Sequence, residues 1–280
     1  MAEQTFAELQ AQFRNIWPTV TLRSIGDVER TVVVVHSISF DVPDQLIPVF
    51  PAYEERFLCL VLSLLRAPRS RVIYVTSQPI HSRVVDYYFS LVPELDTPEA
   101  RSRFEAVSLV DGRNEPLSRK LLARPGAVER IRRLIGRPEV GMIIPFSMTD
   151  DEARLAEELQ LPIYGCDPAL NWLGSKTGSR TVFAEESVQH PVGLDVRGSD
   201  DLSGALDELR ARSQAARSAV LKLDLGVSGL GNAVLDLDTA SRDLRASIEL
   251  EDETADLDHY LAMVDEQGGI VEELIEGEDF

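Results

Sequence analysis

Lys222 is the residue whose setting points most directly to chemistry. It lies inside Val220-Leu221-Lys222-Leu223-Asp224-Leu225, where apolar and polar residues alternate. Period-two alternation marks a strand, with Leu221, Leu223 and Leu225 on one face and Val220, Lys222 and Asp224 on the other. Gly226, Ser228, Gly229 and Gly231 follow, and residues 233–238 alternate again. Glycine, lacking a Cβ, lets backbone N–H groups approach a phosphate closely. A lysine one short strand away supplies positive charge. In a P-loop or a dinucleotide fold a helix would follow the glycines. A strand follows here, so the unit reads as a hairpin carrying a glycine-rich flap.

Two further groups could serve the same anion. Lys176 lies in Gly174-Ser175-Lys176-Thr177-Gly178-Ser179-Arg180, at the start of a helical stretch over about 175–187. A helix N-terminus of this kind can receive an anion. Near the chain end, residues 270–275 read as a strand holding Glu272, Glu273 and Ile275, with Asp279 just beyond. A strand edge can pair with a planar base, and a carboxylate a few residues on can hold two ribose hydroxyls. Taken singly, each group reads equally as a surface lysine, a flexible turn or an acidic chain end. The four histidines (His36, His81, His190, His259) have no metal spacing, and Cys59 and Cys166 have no CxxC partner. No Ser nucleophile elbow is present.

The elements that must position these groups fall into two rhythms. Up to residue 165, strands near 31–35, 71–76, 106–110, 140–145 and 162–165 alternate with helices near 53–65, 82–91, 117–134 and 149–159. That alternation predicts a parallel α/β layer. A first helix over 4–16 is expected to stop before Pro18. Thr149 with Glu152 three residues on forms a capping box. Beyond 165 come two helices, the Lys222 hairpin, a long acidic stretch and the final strand. The domains are therefore expected at 1–165 and 166–280. The net charge of −19 argues against a nucleic-acid partner. Residues 241–280 hold 14 Asp and Glu against two Arg, whereas residues 101–140 are basic. Both segments read as solvated surface. The polar N-terminus is no signal peptide, and no apolar run reaches membrane-spanning length. A cytoplasmic protein without a membrane partner is expected; the sequence leaves homo-oligomerisation open.

In this order the motifs resemble the ATP-grasp superfamily of carboxylate–amine ligases. They are Leu173-Gly174-Ser175-Lys176-Thr177-Gly178-Ser179-Arg180, Val188-Gln189-His190-Pro191-Val192-Gly193, Val220-Leu221-Lys222 with its flap, and Val271-Glu272-Glu273-Leu274-Ile275-Glu276-Gly277. Thr76-Ser77-Gln78-Pro79, Asp86-Tyr87-Tyr88 and Pro145-Phe146-Ser147-Met148-Thr149 look like the N-terminal domain of its actinobacterial peptide-ligase subgroup. The resemblance implies an α/β chain: a Rossmann-like pre-ATP-grasp domain with a parallel sheet, then part of an α+β ATP-grasp domain. It implies ATP, a carboxylate and an amine as substrates, amino acids or peptides among them, with ligation through an acylphosphate. Lys176 and Lys222 would contact the ATP phosphates, and Gly226, Ser228, Gly229 and Gly231 would cover them. Glu272 would face the adenine amino group, the Glu273 and Ile275 backbones its edge, and Asp279 the ribose. The family's magnesium ligands lie beyond the matched motifs, so no metal ligand is assigned here. The chain is expected to be truncated, inactive alone, and loosely held after about residue 215. The alternative is a non-catalytic nucleotide- or partner-binding module. A nicotinamide-binding fold is disfavoured, because no Gly-x-Gly-x-x-Gly follows the strand at 31–35.

Overall fold

The β-branched run Thr31–Val35 is buried throughout, as a central parallel strand must be. It forms β1 (Arg30–Val35), flanked by β2 (Ser70–Thr76) and β4 (Gly141–Pro145), with β3 (Phe104–Ser108) outside β2. The computed structural model describes residues 4–21, 28–39, 48–226, 231–251, 255–275 and 277, the side chains of 15–21 excepted. The chain divides into two compact units, Met1–Pro168 and Ala169–Phe280.

In the first unit the sheet order is β3-β2-β1-β4, with every pair parallel. The helices are α1 (Phe6–Thr21), α2 (Phe50–Val61), α3 (Ser82–Ser90), α4 (Pro98–Ser102), α5 (Leu117–Leu122), α6 (Pro125–Ile135) and α7 (Asp150–Leu159). Two apolar clusters form, one around Val33, Ile73, Ile131 and Leu155, the other around Val34, Leu58, Tyr74 and Phe89. Val33 and Val34 are adjacent in β1, so the clusters lie on opposite faces of the sheet. Thr149 and Glu152 form the expected capping box on α7.

Three local readings need correction. The helix α1 runs through Pro18, which removes a single N–H donor and does not end the helix. The stretch 117–134 is two helices, since Pro125 starts a new one. The strand expected at 162–165 reduces to one parallel bridge between Ile143 and Ile163.

The second unit is an antiparallel sheet of order β5-β9-β6-β7-β8. Its strands are β5 (Gly193–Val196), β6 (Ser218–Leu223), β7 (Asn232–Asp236), β8 (Ile248–Leu250) and β9 (Gly269–Glu273). The helices are α8 (Lys176–Glu185), α9 (Leu202–Arg212), α10 (Leu237–Ala240) and α11 (Leu257–Gln267). β6 and β7 pair antiparallel as the alternation predicts, from Ser218↔Asp236 to Lys222↔Asn232. Leu221 and Leu223 are buried against Leu206 and Leu209 of α9 and Val264 of α11. Leu225 is exposed, because β6 ends at Leu223. The described residues after 215 are well packed: they supply four of the five described strands and most of this core. The described residues of the acidic stretch also fold, into β8 and α11.

Candidate functional site

β9 lies between β5 and β6, and this placement builds the site. Glu272 stands opposite Gly193 on one side and Val220 on the other, and Ile270 stands opposite Lys222. Directly opposed residues share a face. Glu272, Ile270, Val220 and Lys222 therefore occupy one face, while Leu221 and Val271 point to the apolar core.

On that face Glu272 is 6% exposed and both its oxygens are engaged. Oε1 receives the Lys222 ammonium, and Oε2 lies 3.1 Å from the Arg180 guanidinium. Arg180 comes from α8 and also donates to Pro191 O at 3.1 Å. Its side chain is 13% exposed, against 29% for Lys222. Two cations thus meet one buried carboxylate.

Lys176 is placed differently. Its ammonium donates to Gly226 O at 2.9 Å, at the start of the glycine loop. The first amides of α8 are all taken. Lys176 N bonds Asp224 O, Thr177 N bonds Asp224 Oδ1 at 2.8 Å, and Gly178 N bonds the capping Ser175 Oγ. The helix N-terminus therefore offers no free N–H to an anion, and that expectation is corrected: Asp224 at the end of β6 already occupies it. Only glycine fits at 178, because a Cβ there would lie 1.8 Å from Trp172 O.

The far end of the loop is also fixed. Gly231 has φ +92°, a backbone region that favours glycine. Its carbonyl accepts from Leu223 N, and the Tyr260 hydroxyl lies 3.1 Å from both Gly231 O and Leu221 O. Burial raises the Tyr260 pKa, so the hydroxyl stays a donor.

The Glu273 N–H bonds Val192 O. Its carboxylate accepts from Val192 N at 2.9 Å and from Ser213 Oγ at 2.5 Å, bonds that lower its pKa. These contacts bind β9 to its neighbours. Ile275 is exposed. Ser228, Gly229 and Asp279 lie outside the described residues. The structure thus joins Lys222 to Glu272 and Lys176 to Gly226. The group the sequence reading left without a role is Arg180. Its signal was the four-residue spacing from Lys176, which places both cations on one side of α8.

A cleft of about 370 Å³ opens at the ends of β5, β6 and β9, lined in part by Thr177, Asp195, Arg197, Asp224 and Glu266. Its carboxylates suit a phosphate less well than the Lys222 face does. Among the described residues no cluster of three His, Cys, Asp or Glu side chains could hold a metal ion. The cations of the basic segment 101–140 are engaged within the fold: Arg124 meets Asp111, Arg119 meets Asp151, Arg103 donates to backbone carbonyls and Lys120 donates to Ser77 Oγ. No described helix is long and apolar enough to cross a membrane.

No family model matches the chain. It is 28% identical over 251 residues to an L-propargylglycine–L-glutamate ligase of Streptantibioticus cattleyicolor, covering 85% of this chain and 52% of that protein. That similarity agrees with the resemblance of the sequence motifs to the ATP-grasp ligases. The chain is also 29% identical over 236 residues to the IQ motif-containing protein H of Danio rerio, covering 77% of this chain and 22% of that one. The VanG D-Ala:D-Ser ligase of Enterococcus faecalis is a solved structure similar at TM-score 0.43 and 11% identity, over 89% of this chain and 64% of that one. The chain spans about half the length of its ligase relative and about a fifth of the other curated relative. The α/β fold, with one parallel and one antiparallel sheet, agrees with the ATP-grasp resemblance.

Proposed function

We propose that this chain carries the ATP-binding part of an ATP-dependent carboxylate–amine ligase. The observation that supports the reading best is the Lys222–Glu272–Arg180 group, set one strand from a glycine loop. Two cations on one carboxylate leave a local surplus of positive charge, which an anionic ligand would match. In this reading Lys222 and Lys176 take the phosphates, and the 226–231 loop with Ser228 and Gly229 covers them. Glu272 and the Ile275 and Glu273 backbones face the adenine, with Asp279 on the ribose; the Glu273 N–H is engaged, which leaves its carbonyl.

The reaction follows from the bound nucleotide. A substrate carboxylate oxygen attacks the γ-phosphorus, the bond to the β-phosphate oxygen breaks, and ADP leaves an acylphosphate. An amine then attacks the acyl carbon, and inorganic phosphate departs with the C–O electron pair. The ligase relative is named for two amino acids, so amino acids or short peptides are the substrate class to test first. The described residues do not supply a magnesium donor set, and no step is derived through that ion. We expect the chain alone to bind ATP without completing ligation.

The second reading, a nucleotide-binding module without catalysis, draws support from the match to a protein whose name is not that of a ligase. One experiment separates them. The 280-residue chain is titrated with ATP by calorimetry, then assayed for phosphate release with magnesium, ATP and a panel of amino acids. Binding is expected, and its absence sinks both readings. Release that requires one amino acid pair supports the ligase reading. Binding with no release is expected of this chain under either reading, and an amino acid that changes the ATP affinity in the titration then separates the ligase from the module.

A further inference from the structure

We propose that Arg180 is a positioning residue that keeps Glu272 neutralised while Lys222 leaves it for a phosphate. The inference deepens the nucleotide reading above and rests on it. Glu272 is buried and bonded by Lys222 through Oε1 and by Arg180 through Oε2. Lys222 is the more exposed of the two cations and sits on a strand next to the glycine loop. Arg180 is the more enclosed, and its second bond, to Pro191 O, anchors it just before β5. A lysine is a flexible point charge, whereas a guanidinium can fork to two acceptors. The two cations therefore have different freedom to move.

The physical consequence concerns the carboxylate. A phosphate arriving at Lys222 draws the ammonium away from Glu272 Oε1. With no second cation, that move would strand a buried carboxylate without a partner, which opposes binding. Arg180 removes the obstacle, since Oε2 keeps its charged donor throughout. Arg180 touches neither phosphate nor base in this scheme; it acts through Glu272. The pairing also predicts selectivity. Ligands with phosphates gain from Arg180, and an uncharged nucleoside does not, because it leaves Lys222 on Glu272.

The test reads the ratio of ATP to adenosine affinity, by calorimetry on the full chain. Arg180→Met is expected to lower that ratio roughly tenfold or more, the scale of one charge-assisted contact. Adenosine affinity is expected to change little. Adding Glu272→Gln to Arg180→Met is expected to restore the ratio, since no buried charge is then stranded. Arg180→Lys, which keeps a cation, is expected to retain most of it. A merely structural role would lower both affinities alike and would not be rescued by Glu272→Gln; that pattern overturns the proposal. Should Arg180→Met fail to fold, Glu272→Gln alone decides: the ratio is expected to hold or rise, and a fall overturns the proposal. The unmodified chain provides the separate control. If it binds no ATP, the nucleotide reading fails; if it binds ATP and Arg180→Met binds it equally well, only the role of Arg180 fails.

Discussion

The two units each bury charge, and they do so in different ways. In the first, Lys120 is 2% exposed and donates to Ser77 Oγ at 3.0 Å, while Ser77 donates to Glu54 through its N–H and hydroxyl. Asp111 lies beside this group with Arg113 and Arg124, and Arg113 also meets Glu115. Lys120, Glu54 and Asp111 are buried and Arg113, Arg124 and Glu115 partly exposed, while the neighbouring serines 37, 39, 118 and 147 bond one another and the buried Glu152. In the second unit one carboxylate, Glu272, holds two cations. A network in which each charge has a hydrogen-bonded partner holds a fold together. An unbalanced one has charge to offer a ligand. By that criterion we read the carboxyl ends of β1 and β2 as structural ground, although open parallel sheets often bind ligands there, and the Lys222 face as the proposed site.

The contrast breaks first at Lys120. Lys120→Met removes the donor to Ser77 Oγ and the cation near buried Glu54, and a loss of about 1–3 kcal/mol in stability is expected. Urea unfolding measures it, and a loss below about 1 kcal/mol would show that the network is not structural.

Acid should act on the same unit. The His36 ring packs edge-on against Phe57 and Tyr74, its Nδ1 has no hydrogen-bond partner among the described residues, and burial lowers its pKa from 6.5 to about 4. The unfolded chain takes up a proton near pH 6.5 that the folded one refuses until about pH 4. Stability from neutral His36 is thus complete above pH 6.5 and falls as pH drops towards 4, by about 3 kcal/mol in all. Unfolding free energies of the protein and of His36→Phe at pH 7 and 4.5 should diverge in their pH dependence. Equal slopes would refute the assignment.

The sharpest contrast is Lys222→Ala, which should leave stability nearly unchanged because Glu272 keeps Arg180. ATP affinity should fall about ten- to a hundredfold, or roughly 1.5–3 kcal/mol. If calorimetry shows unchanged ATP affinity while unfolding shows a large loss of stability, Lys222 belongs with Lys120 as a structural cation.

Much was legible because it is local. The buried valines of β1, the capping box at Thr149, the start of α8 and the β6–β7 hairpin each follow from residue spacing within one element or one turn. The amides of α8 were misread because their partner, Asp224, lies 47 residues away from Thr177. The acidic stretch hid β8 and α11 because its many charges mask the inward residues of those elements, Tyr260 and Val264 among them, which the fold packs on the core.

What the sequence determined by itself is the set of elements and the face each one buries, since periods of two and 3.6 residues encode burial directly. It also set Lys222 beside a glycine-rich loop and Lys176 at the start of a helix, whereas Glu272 read equally as part of an acidic chain end. What only the tertiary structure decided is which charge meets which. Arg180 and Glu272 stand 92 residues apart, and they meet because β9 inserts between β5 and β6. Strand order and register of that kind depend on how whole faces pack, and no short-range pattern in the chain carries them.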